Sequence, residues 1–451
     1  MADANLELAR QMVQLARAAG AEQCDVLVSA FTESSVTVRL GEIEKLVEAG
    51  SRSLGLRVIN GGRTAVSSTS DLSERSLEAL AKDTVVLARI SEPDEFAGLP
   101  EPELLSKATA QGLNLYDERI EAMTTEEKVT AARACEAAAL AFDPRITNSD
   151  GGMFVTRSGE VALANSLGFA SSYPGTSAYI AVEVMADDAG GKKRNAAWYS
   201  AERALHRLAD PGEVGRTAAR RALDQVGARK VGTKQVPVVM EPRMTMRLMG
   251  DLAGCLSGSA LYRGATFLAG RRGQVIGSPL VTIVDEPCLL GRPGSRPWDG
   301  EGVTSARTPL VTAGVFEAFL FDVYTARRTG NRTTGSASRG VGSAPAPGAS
   351  NLVFEAGTTD PEAIVADVAD GLYLTEMIGF GFNPTTGDFS RGAAGFWIEN
   401  GRLSFPVTEV NISGTMEGML GGIDALGTDL TWLGGSAAPT VRIREMTVSG
   451  L

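Results

Sequence analysis

The stretch CDVLVSAFTESSVTVRL, residues 24–40, alternates apolar and polar side chains in two short runs. Alternation with a period of two is typical of β-strands that bury one face and expose the other. The stretch SLGLRVINGGRTAVSSTS, residues 53–70, repeats this pattern on both sides of an Asn-Gly-Gly turn, which favours a hairpin. Together the two stretches predict an antiparallel sheet in the first part of the chain.

Helical patterns surround these strands. Four segments are expected to be helical because their apolar residues recur every three or four positions: a first helix that ends before Gly20, residues 71–90, a helix from Thr124 through Phe142, and residues 212–226. Thr124 and Glu127 have the spacing of a capping box at the start of the third helix. We therefore predict an α+β domain over residues 1–230, in which helices pack against an antiparallel sheet.

A change in composition follows this domain. The stretch GARKVGTKQ, residues 227–235, is polar and contains two glycines, which places a domain boundary between residues 230 and 231. Beyond the boundary, short apolar runs alternate with glycine-rich turns. The sequence therefore predicts a mainly antiparallel β domain over residues 231–451.

Charge and composition exclude several classes of protein. The 451 residues include 43 Lys and Arg against 54 Asp and Glu, a formal net charge of −11. An acidic surface repels a phosphate backbone, so we expect no nucleic-acid partner. No apolar run reaches the roughly 18 residues of a membrane span, so we expect no membrane partner. Because acids and arginines interrupt residues 1–20, they do not fit a secretion signal, and we expect a cytoplasmic protein.

The stretch LMGDLAGCLSGSALYRG, residues 248–264, is typical of a helix that ends in a glycine-rich loop. Asp251 and Cys255 lie four residues apart and could face one ion. Zinc needs about three or four protein ligands, however, and no histidine or second cysteine is near in sequence. We therefore expect no metal here. The four cysteines are far apart and are expected to be free thiols: Cys24, Cys135, Cys255 and Cys288.

Other catalytic patterns are weak. The one histidine, His206, lies among charged residues and is expected on the surface of a helix rather than in a catalytic triad. Two acidic pairs stand beside prolines, where turn chemistry explains them without an acid–base role: Asp285 with Glu286, and Asp299 with Glu301. Neither pattern predicts a hydrolytic site.

Residues 327–350, RRTGNRTTGSASRGVGSAPAPGAS, are small, polar and without a periodic pattern. Four arginines occur here without a neighbouring acid: Arg327, Arg328, Arg332 and Arg339. This composition predicts a mobile, positively charged loop. The loop is either an ordinary solvated connection or a segment that contacts a partner or a peptide.

Five stretches carry a likeness to a known family: LSGSALYRG (256–264), WDGEGV (298–303), GVFEAFLFDVYTAR (314–327), TGDFSRGAAGFWIENG (386–401) and FPVTEVNISG (405–414). In these stretches the chain resembles the TldD/TldE (PmbA) family, once called modulators of DNA gyrase. The resemblance extends over nearly the whole chain and is strongest from residue 230 onward. It implies a two-domain subunit of a heteromeric cytoplasmic metalloprotease that degrades small, unfolded or flexible peptides.

The family's catalytic member carries an HExxxH motif on the helix before the glycine-rich loop. In the alignment that the resemblance implies, Met249, Gly250 and Gly254 replace the first His, the Glu and the second His. Methionine and glycine supply neither an adequate ligand set nor a general base beside a metal-bound water. The resemblance therefore implies a TldE/PmbA-like chain without a metal or cofactor of its own, and a zinc-like metal in a TldD-like partner.

Residues 386–401 have two interpretations. Their glycines fit turns or bulges and their aromatic residues fit a sheet core, or else Asp388, Ser390 and Arg391 line a groove for an extended peptide. An arginine fork suits a peptide carboxylate. The candidate contacts with a peptide or a partner are Ser257, Arg263, Arg328, Arg332, Asp388, Ser390 and Arg391.

The function expected from the resemblance is that of a TldE/PmbA-like subunit, without its own metal site, that completes a cytoplasmic peptidase in a dimer with a TldD-like partner. Two alternatives stay open: a homodimeric peptide-binding or scaffold protein, and an autonomous non-metal hydrolase. Only the last alternative predicts that the purified chain alone cleaves peptides in the presence of chelators.

Overall fold

The computed structural model describes residues 2–450, and its first lobe is built on one six-stranded antiparallel sheet. The strands are β1 (Gln23–Arg39), β2 (Glu42–Asn60), β3 (Arg63–Thr69), β4 (Ile146–Asn165), β5 (Ala170–Asp187) and β6 (Lys193–Glu202), in the spatial order β3-β2-β1-β4-β5-β6. The predicted antiparallel sheet is confirmed. The two short runs expected in residues 24–40 instead form one long strand, because the bulge between Thr37 and Val38 bends β1 without ending it.

Helices cover one face of this sheet. They are α1 (Ala2–Ala18), α2 (Glu74–Ile90), α3 (Glu118–Glu121), α4 (Thr125–Leu140) and α5 (Pro211–Leu223). The predicted capping box is present at α4, where the Glu127 N–H donates to Thr124 Oγ1 and the Thr124 N–H donates to Glu127 Oε2. Val26 and Val28 of β1 point to this face and pack with Met12 of α1.

The opposite face of the sheet meets the second lobe. Alternate side chains of the same strand turn this way, so Leu27 of β1 packs with Leu163, Phe169 and Trp298 in a separate apolar cluster. The Phe169 and Trp298 ring centroids lie 5.6 Å apart in an edge-to-face arrangement. One strand therefore contributes to the core of the first lobe and to the contact between the lobes.

The second lobe is mainly β. Its strands are β7 (Lys234–Met240), β8 (Ile283–Asp285), β9 (Thr308–Thr312), β10 (Val315–Phe316), β11 (Ala337–Ser338), β12 (Ala346–Pro347), β13 (Leu352–Phe354), β14 (Asp370–Ile378), β15 (Asp388–Glu399), β16 (Arg402–Thr415), β17 (Ile423–Leu426), β18 (Thr431–Leu433), β19 (Ser436–Ala438) and β20 (Val441–Ser449). The mainly antiparallel prediction is confirmed, with β7–β14 and β13–β19 as parallel exceptions.

Two six-stranded sheets organise this lobe, in the orders β10-β9-β8-β13-β19-β18 and β16-β15-β14-β7-β20-β17. Because β16 also pairs with β20, the strands β16, β15, β14, β7 and β20 form a closed ring. The helices are α6 (Pro242–Cys255), α7 (Gly258–Tyr262), α8 (Val323–Arg328), α9 (Pro361–Ala366) and α10 (Met416–Gly422). In residues 2–450, no helix is long and apolar enough to cross a membrane.

Candidate functional site

Helix α6 packs one face against the second lobe's core. Pro242 occupies its first turn, where the missing N–H costs nothing, and the helix ends at Cys255 with Leu256 as its C-cap. Met244, Leu248 and Leu252 lie in the same buried cluster as the strands of the β ring. The sequence pattern predicted this buried face, and burial on the ring fixes the orientation of the helix.

The three positions aligned with HExxxH do not face one point. The Met249 side chain is 2% exposed and belongs to the core cluster. Gly250 and Gly254 lie on the exposed side of α6, and a Cβ on either would meet no atom within 4 Å. The local helix therefore directs the first position inward and the other two toward solvent.

Asp251 and Cys255 do not form a shared ligand pair. Asp251 Oδ1 accepts a hydrogen bond from Arg391 Nη2 at 2.8 Å, and burial raises the pKa of the Asp251 carboxyl against the opposing charge of Arg391. The Cys255 Sγ lies 3.8 Å from the carbonyl oxygen of Pro384, and burial raises the thiol pKa to about 12. Within residues 2–450, no group of three His, Cys, Asp or Glu side chains could share an ion.

The candidate contact residues near α6 have different environments. Ser257 caps α7 by accepting a hydrogen bond from the Ser259 N–H at 3.2 Å, while Arg263 is exposed and its Nε donates to the Tyr262 hydroxyl at 3.3 Å. Asp388 and Ser390 are exposed at the start of β15. Arg391 follows them but is 5% exposed and is bound by Asp251. One nitrogen of the arginine fork suggested for a peptide carboxylate, Nη2, is thus already bound within the chain.

The prediction of a mobile loop at residues 327–350 is wrong. Residues 335–337 are buried, and the segment contains β11 and β12. Arg327 Nη2 donates to Glu101 Oε1 at 2.8 Å, and Arg339 Nη1 donates to Asp25 Oδ1 at 2.6 Å. The loop is ordered because the first lobe supplies the carboxylates that the local sequence lacks.

Arg328 and Arg332 differ although both lie in this segment. Arg328 ion-pairs with Asp94 at 3.5 Å, and its guanidinium lies 5.3 Å from the Tyr262 ring centroid and 5.4 Å from that of Phe96. Arg332 is exposed and has no ion-pair partner in the described part of the chain. Arg328 therefore connects the lobes, whereas Arg332 projects from them.

A buried ionic network joins the lobes, and it includes Glu301, for which the sequence predicted only a turn. Arg57 Nε donates to Asp25 Oδ2 at 2.9 Å, and its Nη atoms lie 3.4 Å from Glu301 Oε1. Arg339 binds the other oxygen of Asp25, and its side chain is 1% exposed. The signal in the sequence was a charge inside each apolar strand, Asp25 after Cys24 and Arg57 before Val58.

Burial acts differently on the two carboxyl groups of this network. Burial raises the pKa of Glu301 to about 8; Arg57 opposes this effect, and the charges of Asp299 and Asp322 reinforce it. Burial also disfavours ionised Asp25, but Arg339 and Arg57 outweigh that effect and hold its pKa below the usual range. Asp25 is therefore the stable anion of the network, and Glu301 retains its proton at neutral pH.

These features define a two-lobed α+β protein in which a helix-covered antiparallel sheet meets a β ring with α6 across it. Matching family models agree with this architecture along the chain. The PmbA/TldA metallopeptidase domain 1 matches residues 24–88, the central domain matches 118–226, and the C-terminal domain matches 233–450. The chain belongs to the PmbA/TldD family of metallopeptidases.

Individual relatives share both sequence and fold. The metalloprotease PmbA of Escherichia coli O157:H7 is 33% identical over 94% of this chain and 92% of its own length. The TldD homolog of Haemophilus influenzae is 23% identical over 81% of this chain and 77% of its own length. A Bacteroides thetaiotaomicron crystal structure, designated a candidate modulator of DNA gyrase, has a TM-score of 0.93 at 28% identity and covers 100% of this chain and 99% of that one.

A second solved structure supports the fold alone. TldE from Thermococcus kodakarensis superposes with a TM-score of 0.86 at 20% identity, covering 98% of this chain and 100% of that one. The resemblance to the PmbA/TldE family is therefore confirmed by family models, relatives and fold together.

Proposed function

We propose that this chain is the subunit of a cytoplasmic metallopeptidase complex that binds no catalytic metal and acts with a TldD-like, metal-bearing partner on small or unfolded peptides. One observation carries the proposal: the family's HExxxH positions are Met249, Gly250 and Gly254, with Met249 in the core. A catalytic zinc needs about three protein ligands and a general base near its water. The residues of α6 do not fit such an ion.

The surrounding groups do not substitute for the missing set. Asp251 is bound by Arg391, and the buried Cys255 thiol has a pKa of about 12, so it keeps its proton at neutral pH. His206 is exposed in a short 3-10 helix, Leu205–Arg207, of the first lobe. These environments favour a supporting role over autonomous hydrolysis.

The contacts with a partner or a peptide are assigned to exposed side chains near α6. Arg263, Asp388, Ser390 and Arg332 are exposed, and Ser257, the N-cap of α7, is half-buried. Arg328 and Arg391 act within the chain and would shape the surface rather than bind directly. All four cysteines are free thiols, as expected in the reducing cytoplasm.

The proposal is tested by reconstitution. The chain is purified alone and with a TldD-type protein, and each sample is assayed for bound metal after gel filtration and for cleavage of an unfolded peptide. We expect no stoichiometric metal and no cleavage by the chain alone, and chelator-sensitive cleavage by the mixture. A mixture whose TldD-type protein lacks its general base is the matched control.

Three outcomes would contradict the proposal. Equimolar metal retained by the isolated chain would show that another ligand set exists. Peptide cleavage by the isolated chain that survives chelators would favour the autonomous non-metal hydrolase. A stable homodimer that binds peptides but does not respond to a TldD-type protein would favour the scaffold alternative.

A further inference from the structure

A groove of about 490 Å³ separates the helix-free face of the first sheet from two loops of the second lobe. Ser29 and Phe31 of β1 form part of its sheet side, and Trp298 and Arg339 form part of the opposite side. None of its lining residues belongs to α6 or to the loop after it. Its volume is typical of a small-molecule or peptide-end site. We refer to it as the interlobe groove.

Three arginines line the interlobe groove, and their N–H groups are only partly used. Arg296 Nη1 donates to the carbonyl oxygen of Ala337 at 3.0 Å, while its Nε and Nη2 are buried without an acceptor. Arg339 Nη1 donates to Asp25, and its Nε and Nη2 are likewise buried without an acceptor. Arg157 is exposed, and no carboxylate in residues 2–450 lies within ion-pair distance of it.

The carboxylates around the interlobe groove are already bound. Asp299 Oδ1 accepts hydrogen bonds from the N–H groups of Glu301 and Val303, and Oδ2 accepts one from Ala337. Asp25 is held by Arg57 and Arg339. Within the described residues, the Nε and Nη2 atoms of Arg296 and Arg339 therefore have no carboxylate as an acceptor. Buried charged donors without acceptors are costly, and an anion in the groove would offset part of that cost.

Apolar surface lies beside this positive charge. Phe31, Tyr173 and Trp298 line the same groove, and the Tyr173 and Trp298 ring centroids lie 5.0 Å apart in an edge-to-face arrangement. The guanidinium of Arg157 stands 4.0 Å from the centroid of the Phe31 ring. An occupant that presents a negative group next to an apolar group would complement both parts of the groove.

We propose that the interlobe groove binds a carboxylate carried next to an apolar side chain, as at the C-terminus of a short peptide. Arg157 would donate to the carboxylate directly because it is the exposed guanidinium. Arg296 and Arg339 lie beneath the surface and would attract the anion through poorly screened charge. The proposal concerns binding by the isolated chain and does not depend on the metallopeptidase role.

Calorimetric titration of the full chain tests the proposal without any cleavage step. The probe is Ala-Ala-Phe with a free C-terminus, and its C-terminal amide is the matched ligand control. We expect the acid to bind about tenfold or more tightly than the amide, the effect of one charge-assisted hydrogen bond. Free 3-phenylpropionate distinguishes the sources: binding as tight as the peptide's indicates a free carboxylic acid, and weaker binding indicates a peptide end.

Three variants test whether the peptide acid binds in the interlobe groove. Arg157→Gln is expected to weaken binding of the acid about tenfold and to remove the preference over the amide. Arg75→Gln changes an exposed arginine of α2, on the helix-covered side of the sheet, that has no ion pair within residues 2–450. This variant is expected to bind the peptide acid like the unaltered chain. Ser29→Trp fills the groove and should abolish binding. Because Arg157 is exposed, its variant stays informative even if Ser29→Trp does not fold.

Three results would overturn the proposal. The peptide acid could fail to bind, or the acid and amide could bind equally. Arg157→Gln could bind the acid as tightly as Arg75→Gln does. Inorganic phosphate is the last probe: if it binds as tightly as the peptide acid and depends equally on Arg157, the groove is a general anion site and the apolar part of the assignment is wrong.

Discussion

Asp25 and Glu301 share the guanidinium of Arg57, yet the protein gives their carboxyl groups opposite protonation behaviour. Asp25 has a second cation, Arg339, whereas Glu301 has Asp299 and Asp322 as acidic neighbours. A carboxyl that keeps its proton avoids the cost of a second buried negative charge. The stability of the lobe contact should therefore depend on the protonation of Glu301.

Glu301→Gln is expected to flatten the dependence of the unfolding free energy on pH. The pKa of Glu301 rises from its ordinary value of 4.5 to about 8, so between these values the folded chain holds a proton that the unfolded chain releases. Its contribution is complete below the unfolded pKa and is lost as pH rises through the folded pKa. The free energy of unfolding, measured with urea, should fall more steeply with rising pH for the unaltered chain than for Glu301→Gln. Parallel profiles would contradict the raised pKa.

Asp251→Ala is expected to destabilise the chain by about 2–4 kcal/mol, because it leaves the buried Arg391 guanidinium without its carboxylate. Asp251→Asn keeps an acceptor and should cost less, since burial already disfavours the ionised Asp251. The control is Glu417→Ala, which breaks the pair with Arg271 at a carboxylate that is 47% exposed and should cost under about 1 kcal/mol. Denaturant unfolding measures all three, and equal losses for Asp251→Ala and Glu417→Ala would refute the distinction.

At the level of elements, the sequence predicted what local periodicity controls. The alternation in residues 24–40 and the capping box at Thr124 act over a few residues, and both appear in the structure. The order of residues 327–350 was not predictable in this way, because Arg339 depends on Asp25, which is 314 residues away in sequence. The interlobe groove was also not predictable from local patterns, because its two sides come from opposite halves of the chain.

Gly250→Ala and Gly254→Ala are each expected to stabilise α6 by about 0.5–1 kcal/mol, because alanine loses less backbone entropy in a helix than glycine. Neither new Cβ would meet an atom within 4 Å. Gly258→Ala is the contrasting variant, since its Cβ would stand 2.4 Å from the Phe321 ring and should destabilise the chain. Thermal unfolding of the three variants decides the matter. If neither Gly250→Ala nor Gly254→Ala raises the melting temperature, this face of α6 is not open to solvent.

At the level of the whole molecule, ion pairs between the lobes supplement a small apolar contact. The apolar cluster between the lobes has four buried members, Leu27, Leu163, Phe169 and Trp298. Around it, Arg327, Arg328 and Arg339 each pair with a carboxylate across the lobe boundary. Arg57 lies 3.4 Å from the carboxyl group of Glu301 across the same boundary. The most buried of these pairs should control how strongly the two lobes unfold as one unit.

Arg339→Ser is therefore expected to lower the free energy of unfolding by about 3 kcal/mol, because it removes one of the two cations that hold the buried Asp25 carboxylate. Arg332→Ser, seven positions earlier in the same segment, is the matched control: Arg332 is exposed and unpaired within residues 2–450, and its loss should change stability by less than about 0.5 kcal/mol. Melting curves of the two variants, recorded with probes in each lobe, make the comparison. If Arg339→Ser has the same melting temperature as Arg332→Ser, the network does not hold the lobes together. If it separates one transition into two, charge at this residue couples their unfolding.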